Sequence, residues 1–280
     1  MTGSLGATLA RAWRDPAGRT GLLVLLVLIA GALLAPAWLP DPAAMPELAA
    51  GARPPSSAHL LGTDRMSRDL LSRVVHGGRV SLAVAGLSVA VSLTLGVTLG
   101  VVAGLAGGWL DALLMRLVDA ALAVPRLFIL LLLLVVWERI PLPALIAVIG
   151  LTGWFATSRL VRGEVLRLRA EGFVDAARAL GAGPARTIFR HLVPNTLGMV
   201  LVAATLGVGE VILLEAGLSF LGVGVQPPTP SWGGMVLDGR DQIAVAPWTI
   251  FFPGLAIVTT VLAVNLVSDA LRAAFDPRSA

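Results

Sequence analysis

Residues 164–195 read EVLRLRAEGFVDAARALGAGPARTIFRHLVPN, a charged, helix-forming island between two long apolar runs. Phe173, Ala176, Ala177 and Leu180 recur at i, i+3, i+4 and i+7, which puts them on one helix face with Asp175 and Arg178 off it. Gly181 to Gly183 supplies residues that tolerate left-handed backbone, Pro184 suits a helix start, and Ala185, Ile188, Phe189 and Leu192 repeat the apolar spacing. The stretch therefore predicts two short amphipathic helices meeting at a glycine turn, with Pro194 closing the second before the next apolar run.

A helix pair carrying Arg186 and Arg190 on its second member invites comparison with a DNA-reading helix-turn-helix. Both flanks enter apolar runs within a few residues, so no nucleic-acid partner is expected. The tendency of basic residues to stay on the cytoplasmic side explains part of the arginine content. It does not explain the apolar stripes, which need lipid, the protein's own helix ends or a soluble partner to cover them.

Across the chain 56% of residues are hydrophobic, only 14% are charged, and the mean hydropathy is +0.86. An ordinary soluble domain carries roughly 25% charged residues, so this composition predicts an all-α polytopic membrane protein in contact with the lipid bilayer. All 21 basic residues are arginine. Without lysine there is no G-x-x-x-x-G-K-[ST] phosphate cradle, and without cysteine no thiolate nucleophile and no disulfide. No H-E-x-x-H and no G-x-S-x-G occurs either. The chain is thus expected to hold no catalytic residue, cofactor or metal, and His59 and His76 read as loop residues.

Six apolar runs predict six transmembrane helices, at about 21–39, 80–110, 115–137, 144–160, 196–220 and 248–268. The first is longer than a secretory h-region of about 7–15 residues and reads as an uncleaved anchor. Residues 1–40 form the N-terminus and first span, 41–79 an outer segment with a short interfacial helix near Leu70 to Val75, 80–272 the five-helix core, and 273–280 a tail. The second span carries Gly96, Gly100, Gly104 and Gly108 at four-residue spacing, a flat ridge for close helix packing. With both termini cytoplasmic, 13 arginines fall inside, seven of them between Arg159 and Arg190. The same count places Ser57 and Ser231 outside and Thr187 inside.

The words of the island also resemble a known family. Asp175-Ala176-Ala177, a glycine four residues on at Gly181 and a proline thirteen further at Pro194 are similar to the "EAA loop" of ABC-importer permeases, with Asp175 for the usual Glu. The ending His191-Leu-Val-Pro-Asn195 resembles the dipeptide/oligopeptide/nickel branch, as do HLLGTD from His59, EAGLSFLG from Glu215 and QPPTPSWG from Gln226. Ser67 stands where that branch usually has glycine. The resemblance implies the type I permease fold in the cytoplasmic (inner) membrane, in a heterodimer with a second, similar permease. It further implies one or two ATPase subunits that bind ATP and magnesium, a solute-binding protein on the outside, and transport of peptides or a related small solute. It makes the loop a coupling element, for which Phe173, Asp175, Ala176, Ala177, Leu180, Gly181, Arg186 and Pro194 are the candidate residues.

Three carboxylates lie in or beside apolar runs: Asp119, Glu210 and Glu215. A charge at mid-membrane costs roughly 2.5–3.5 kcal/mol on insertion scales, so each is expected to face the solute pathway or an interface between permeases. The competing expectation is an ion-coupled secondary transporter that titrates Glu210 or Asp119. It lacks the inverted repeat that such transporters commonly carry.

Overall fold

The computed structural model describes residues 5–45 and 51–275; part of the predicted tail, 276–280, lies outside the described residues. The described residues form helices and one isolated bridge between Thr63 and Asp69. Five helical stretches are long and apolar enough to cross a membrane: Pro16–Trp38, Leu70–Ala106, Leu142–Arg169, Ala185–Phe220 and Trp248–Phe275. Gly108–Leu122 and Arg126–Leu134 form a bent apolar pair that makes a sixth when the two are counted as one span.

A short α1 (Leu5–Arg14) leads into α2 (Pro16–Trp38), whose start is set by Asp15. The Asp15 carboxylate accepts the Gly18 N–H at 2.6 Å, and Pro16 occupies the first helical position, where a missing N–H costs nothing. α2 lies along the last span, α12 (Trp248–Phe275). Gly21 makes that approach possible, since a Cβ there would stand 2.6 Å from the Ala263 carbonyl oxygen.

The separate surface helix expected near Leu70 does not exist. Asp69 caps a single helix, α3 (Leu70–Ala106), by accepting the Ser72 N–H at 2.8 Å. Its 37 residues extend about 55 Å at 1.5 Å each, well beyond a hydrocarbon core of about 30 Å. The polar face of its first turns is covered by protein instead of water. Arg73 is buried there, donating to Asp64 at 2.8 Å and Asp238 at 3.0 Å, while Arg68 donates to Asp64 at 2.7 Å. Burial pushes the Asp238 carboxyl above the usual carboxylate range, with the Arg68 guanidinium pulling the other way. Ser67, the residue that replaces the expected glycine, has φ +60°, which shows why glycine suits the position. Its hydroxyl donates to the Gly51 carbonyl.

Along its middle α3 packs on α6 (Leu142–Leu151) and α7 (Trp154–Arg169). A Cβ on Gly96 would lie 2.7 Å from Thr157 Cβ, on Gly100 2.6 Å from the Ser158 oxygen, and on Gly104 2.8 Å from Val165 Cγ1. Three of the four ridge glycines therefore face one helix. Gly108 does not. It follows the helix end at φ +55° with no atom near a Cβ, because Gly107 and Gly108 turn the chain into α4 (Gly108–Leu122).

The third span is also not the single rod predicted from about 115 to 137. α4 and α5 (Arg126–Leu134) meet at 85° across residues 123–125. Pro125 removes an N–H from the ladder and biases Val124 away from helical backbone. The fourth span bends slightly at Thr152 and Gly153, then continues past the expected end at Leu160 to Arg169. Arg162 holds Asp111 of α4 through two bonds of 2.5 Å, and Arg169 donates to the Gly104 and Leu105 carbonyls at the end of α3. Those carbonyls have no helical partner of their own, so the arginine acts as a C-terminal cap from a neighbouring helix.

Two tests follow from the packing and the arginine pattern. Gly100→Leu should destabilise the chain by about 1–3 kcal/mol, because the added atoms meet α7 backbone, whereas Gly108→Ala meets nothing and its cost is confined to backbone strain. Thermal unfolding of both variants in detergent checks the difference. For sidedness, Ser231 and Thr187 are buried, so cysteine is better placed at the exposed Ser57, Thr229 and Ala185. Ser57→Cys and Thr229→Cys should react with a membrane-impermeant thiol reagent in intact cells, and Ala185→Cys only after permeabilisation.

Candidate functional site

After α7 the chain turns at Ala170 into α8 (Gly172–Ala179), the first amphipathic helix of the island. Val174 anchors it. This side chain is fully buried against a cluster with Val161, Val165, Leu168 and Leu192. The stripe read from the sequence points elsewhere: Phe173 is 43% exposed, Leu180 is 90% exposed, Asp175 and Ala176 are exposed and Ala177 is half-buried. The periodicity alone does not distinguish which of the two apolar surfaces faces the chain's own core, and Val174 was not among the candidates.

α8 ends in a Schellman turn, with the Ala182 N–H bonded to the Ala177 carbonyl at 3.0 Å and Gly181 at φ +82°. The second helix starts as α9 (Pro184–Thr187) and passes through a π-helical stretch, Ile188–Leu192, into α10 (Val193–Phe220) without interruption. Pro194 thus does not close the second helix, contrary to its reading from sequence. The wider π turn, in which the Val193 N–H reaches the Ile188 carbonyl, makes room where the proline ring would crowd the preceding turn. The Asn195 side chain donates to the His191 carbonyl at 2.6 Å. Leu192 faces the cluster around Val174, while Phe189, 74% exposed, and Arg186 face outward. The rings of His191 and Phe173 lie 6.3 Å apart, so the two helices touch across the turn.

Further along the spans, α3, α7 and α10 line a cavity of about 340 Å³, with Arg126 at one wall. Arg126 donates to Glu210 Oε1 at 2.9 Å and to the Ile149 carbonyl at 2.6 Å, and its Nε–H is buried without a partner among the described residues. Gly153 lets the guanidinium in, since a Cβ there would lie 2.7 Å from Arg126 Nη2. Of the three sequence-selected carboxylates only Glu210 reaches this cavity. Asp119 pairs with Arg159 across α4 and α7. Both residues proposed as titrating groups for ion coupling are therefore held in arginine pairs.

Glu215 differs from expectation, because it is buried inside the chain and faces neither a pathway nor a partner surface. It accepts from the Ser219 hydroxyl at 2.7 Å and the Ser81 hydroxyl at 3.2 Å. Ser81 in turn accepts the Trp232 N–H at 3.2 Å, at the start of α11 (Trp232–Gly239). The carboxyl ties three helices together. Ser219 lies one helical turn along the same helix, whereas Ser81 is far away in sequence and no spacing reveals it.

A helical bundle with five to six candidate spans defines a multi-pass membrane protein. The family model described as "binding-protein-dependent transport system inner membrane component" matches residues 96–280. A protein named as a peptide permease in Brucella suis biovar 1 is 42% identical over 285 positions, covering 99% of this chain and 92% of the relative. The oligopeptide transport system permease of Bacillus subtilis is 38% identical, and the dipeptide transport system permease of Alkalihalophilus pseudofirmus 40%, each covering 92% of this chain and 84% of the relative. The chain belongs to this family of ABC-importer permeases, multi-pass components of the cytoplasmic membrane that are not themselves enzymes.

Removing the Glu215 carboxyl should loosen α11. Glu215→Ala leaves buried hydroxyls without their acceptor and should cost about 1–3 kcal/mol, whereas Glu215→Gln keeps an acceptor oxygen and should cost less. Thermal unfolding, with proteolysis of the 225–231 segment as a local readout, measures both.

Proposed function

We propose that this chain is one of two permeases in an ATP-driven importer for short peptides, and that residues 164–195 transmit the work of ATP hydrolysis to its spans. A second, similar permease completes the pathway; one or two ATPase subunits, binding ATP and magnesium, lie against the loop; a solute-binding protein delivers the peptide from outside. The peptide class is supported by the names of the relatives, which specify oligopeptide and dipeptide transport for those proteins.

The observation that carries the coupling role is the division of the loop into two apolar surfaces. Val174 and Leu192 fasten it to the inner ends of α3 and α7, while Phe173, Leu180 and Phe189 form an apolar surface exposed to solvent. An apolar patch on an arginine-rich end of a membrane protein is costly in water and suits a soluble partner. The Schellman turn at Gly181 fixes the angle between α8 and α9, hence the shape offered to that partner.

The test uses the whole complex. Leu180→Asp changes a side chain that is 90% exposed, so the chain should still insert and pair. If Leu180 is a central contact, ATPase capture by the membrane subunits should fall roughly 30-fold or more, the equivalent of at least 2 kcal/mol for a hot-spot residue. Gly181→Val, strained by roughly 1–2 kcal/mol in left-handed backbone, should instead retain partial capture and lose stimulation of ATP hydrolysis by loaded binding protein. Full capture and full stimulation in both variants would reduce the loop to a topology signal.

A further inference from the structure

The cavity between α3, α7 and α10 combines features that the coupling loop does not use. Its walls are apolar, with Val89, Leu93, Leu160 and Leu206 among them, and its one ion pair has unequal members. Arg126 is anchored: 21% exposed, bound to the Ile149 carbonyl, with a buried Nε–H to spare. Glu210 is 63% exposed and, among the described residues, its side chain is held by Arg126 alone. Arg126 is also the first residue of α5, whose N-terminus no side chain caps, so the backbone dipole adds positive potential beside the guanidinium.

We propose that this cavity binds a small zwitterionic solute in transit, with Arg126 taking its carboxylate and Glu210 its ammonium group. The inference rests on the reading of the chain as an importer subunit. Charge balance carries the choice of ligand. In an apolar surround an unpaired charge is costly, and the resting pair neutralises itself. A zwitterion inserted between the two groups exchanges one neutral arrangement for another, whereas a lone anion or cation leaves Glu210 or Arg126 uncompensated. A volume of about 340 Å³ lies at the small end of ligand pockets, which run from about 300 to 1,000 Å³, and suits an amino acid derivative or very short peptide. The apolar walls would hold side chains without discriminating strongly among them.

The chain has no native cysteine, so Leu206→Cys gives this chain one thiol, in the cavity wall, whose labelling is followed on the separated subunit after reaction of the assembled complex. Labelling by a small thiol reagent is measured with dialanine, which is zwitterionic, N-acetylalanine, which is only anionic, or alaninamide, which is only cationic. Dialanine should slow labelling roughly tenfold, and the singly charged analogues should not. In Glu210→Gln, N-acetylalanine should gain protection, because Arg126 is left unpaired. In the double variant Arg126→Gln/Glu210→Gln, which leaves no lone charge to disturb folding, dialanine should no longer protect. Absence of dialanine protection in the original pair, protection that survives the double variant, or equal protection by all three probes overturns the proposal. If cells fail to import dipeptides while the charge-coded protection stands, the importer reading falls and this site remains. If import persists unchanged in the double variant, the site falls and the importer reading remains.

Discussion

Close approach of α3 to the α6–α7 span is the constraint on which the other helices depend. Between helices in lipid the hydrophobic effect offers little, since lipid tails are as apolar as leucine, so association relies on contact of backbones and on hydrogen bonds between helices. Gly96, Gly100 and Gly104 let the α7 backbone into van der Waals range. Ser88 and Ser92 then donate to the Ile146 and Gly150 carbonyls of α6 at 3.1 and 2.8 Å. Around this pair α2, α10 and α11 pack on other faces of α3. The loop that follows α7 starts from a rigid two-helix base, and Arg169 closes that base on the last carbonyls of α3.

Charges inside the bundle are placed so that the helices share them. Asp111 with Arg162, Asp119 with Arg159 and Arg126 with Glu210 each join two different helices. At the other end, Asp64, Arg68, Arg73 and Asp238 join the segment before α3 to α3 itself and to α11. Of these ties the Asp64–Arg73 pair is buried on both sides, so removing one member strands the other and the pair constrains geometry even where its net stabilisation is small. The Arg126 pair differs from the rest in opening on a cavity, with one member anchored and the other exposed.

The described geometry also gives the proposed coupling a mechanical route. From Ala185 to Phe220 the chain is continuously helical, so the loop and Glu210 belong to one element and lie about 38 Å apart along it at 1.5 Å per residue. The π-helical stretch sits where this rod leaves the loop, and its wider turn accommodates Pro194 without ending the helix. A displacement of α9 would therefore reach the cavity through a single rod rather than through a chain of side chains.

Much of this protein is determined by local sequence. Apolar runs of membrane-spanning length, the arginine-rich island, the glycine turn at Gly181 and the four-residue glycine ridge all follow from periodicity and composition, because each property belongs to one helix or one turn. Only the tertiary structure decided what those elements meet. It joined the expected surface helix at Leu70 to α3, because Asp64 and Asp238 cover Arg73; it bent the third span at Pro125; it carried the helix through Pro194 by a π turn. It likewise separated three similar carboxylates into different settings, Asp119 beside Arg159, Glu210 in the cavity and Glu215 among buried serines. For the carboxylates the physical reason is shared: a charge is tolerated inside a bundle according to the partner that reaches it, and Arg159, Arg126 and Ser81 come from helices tens of residues away, beyond the range of any local pattern.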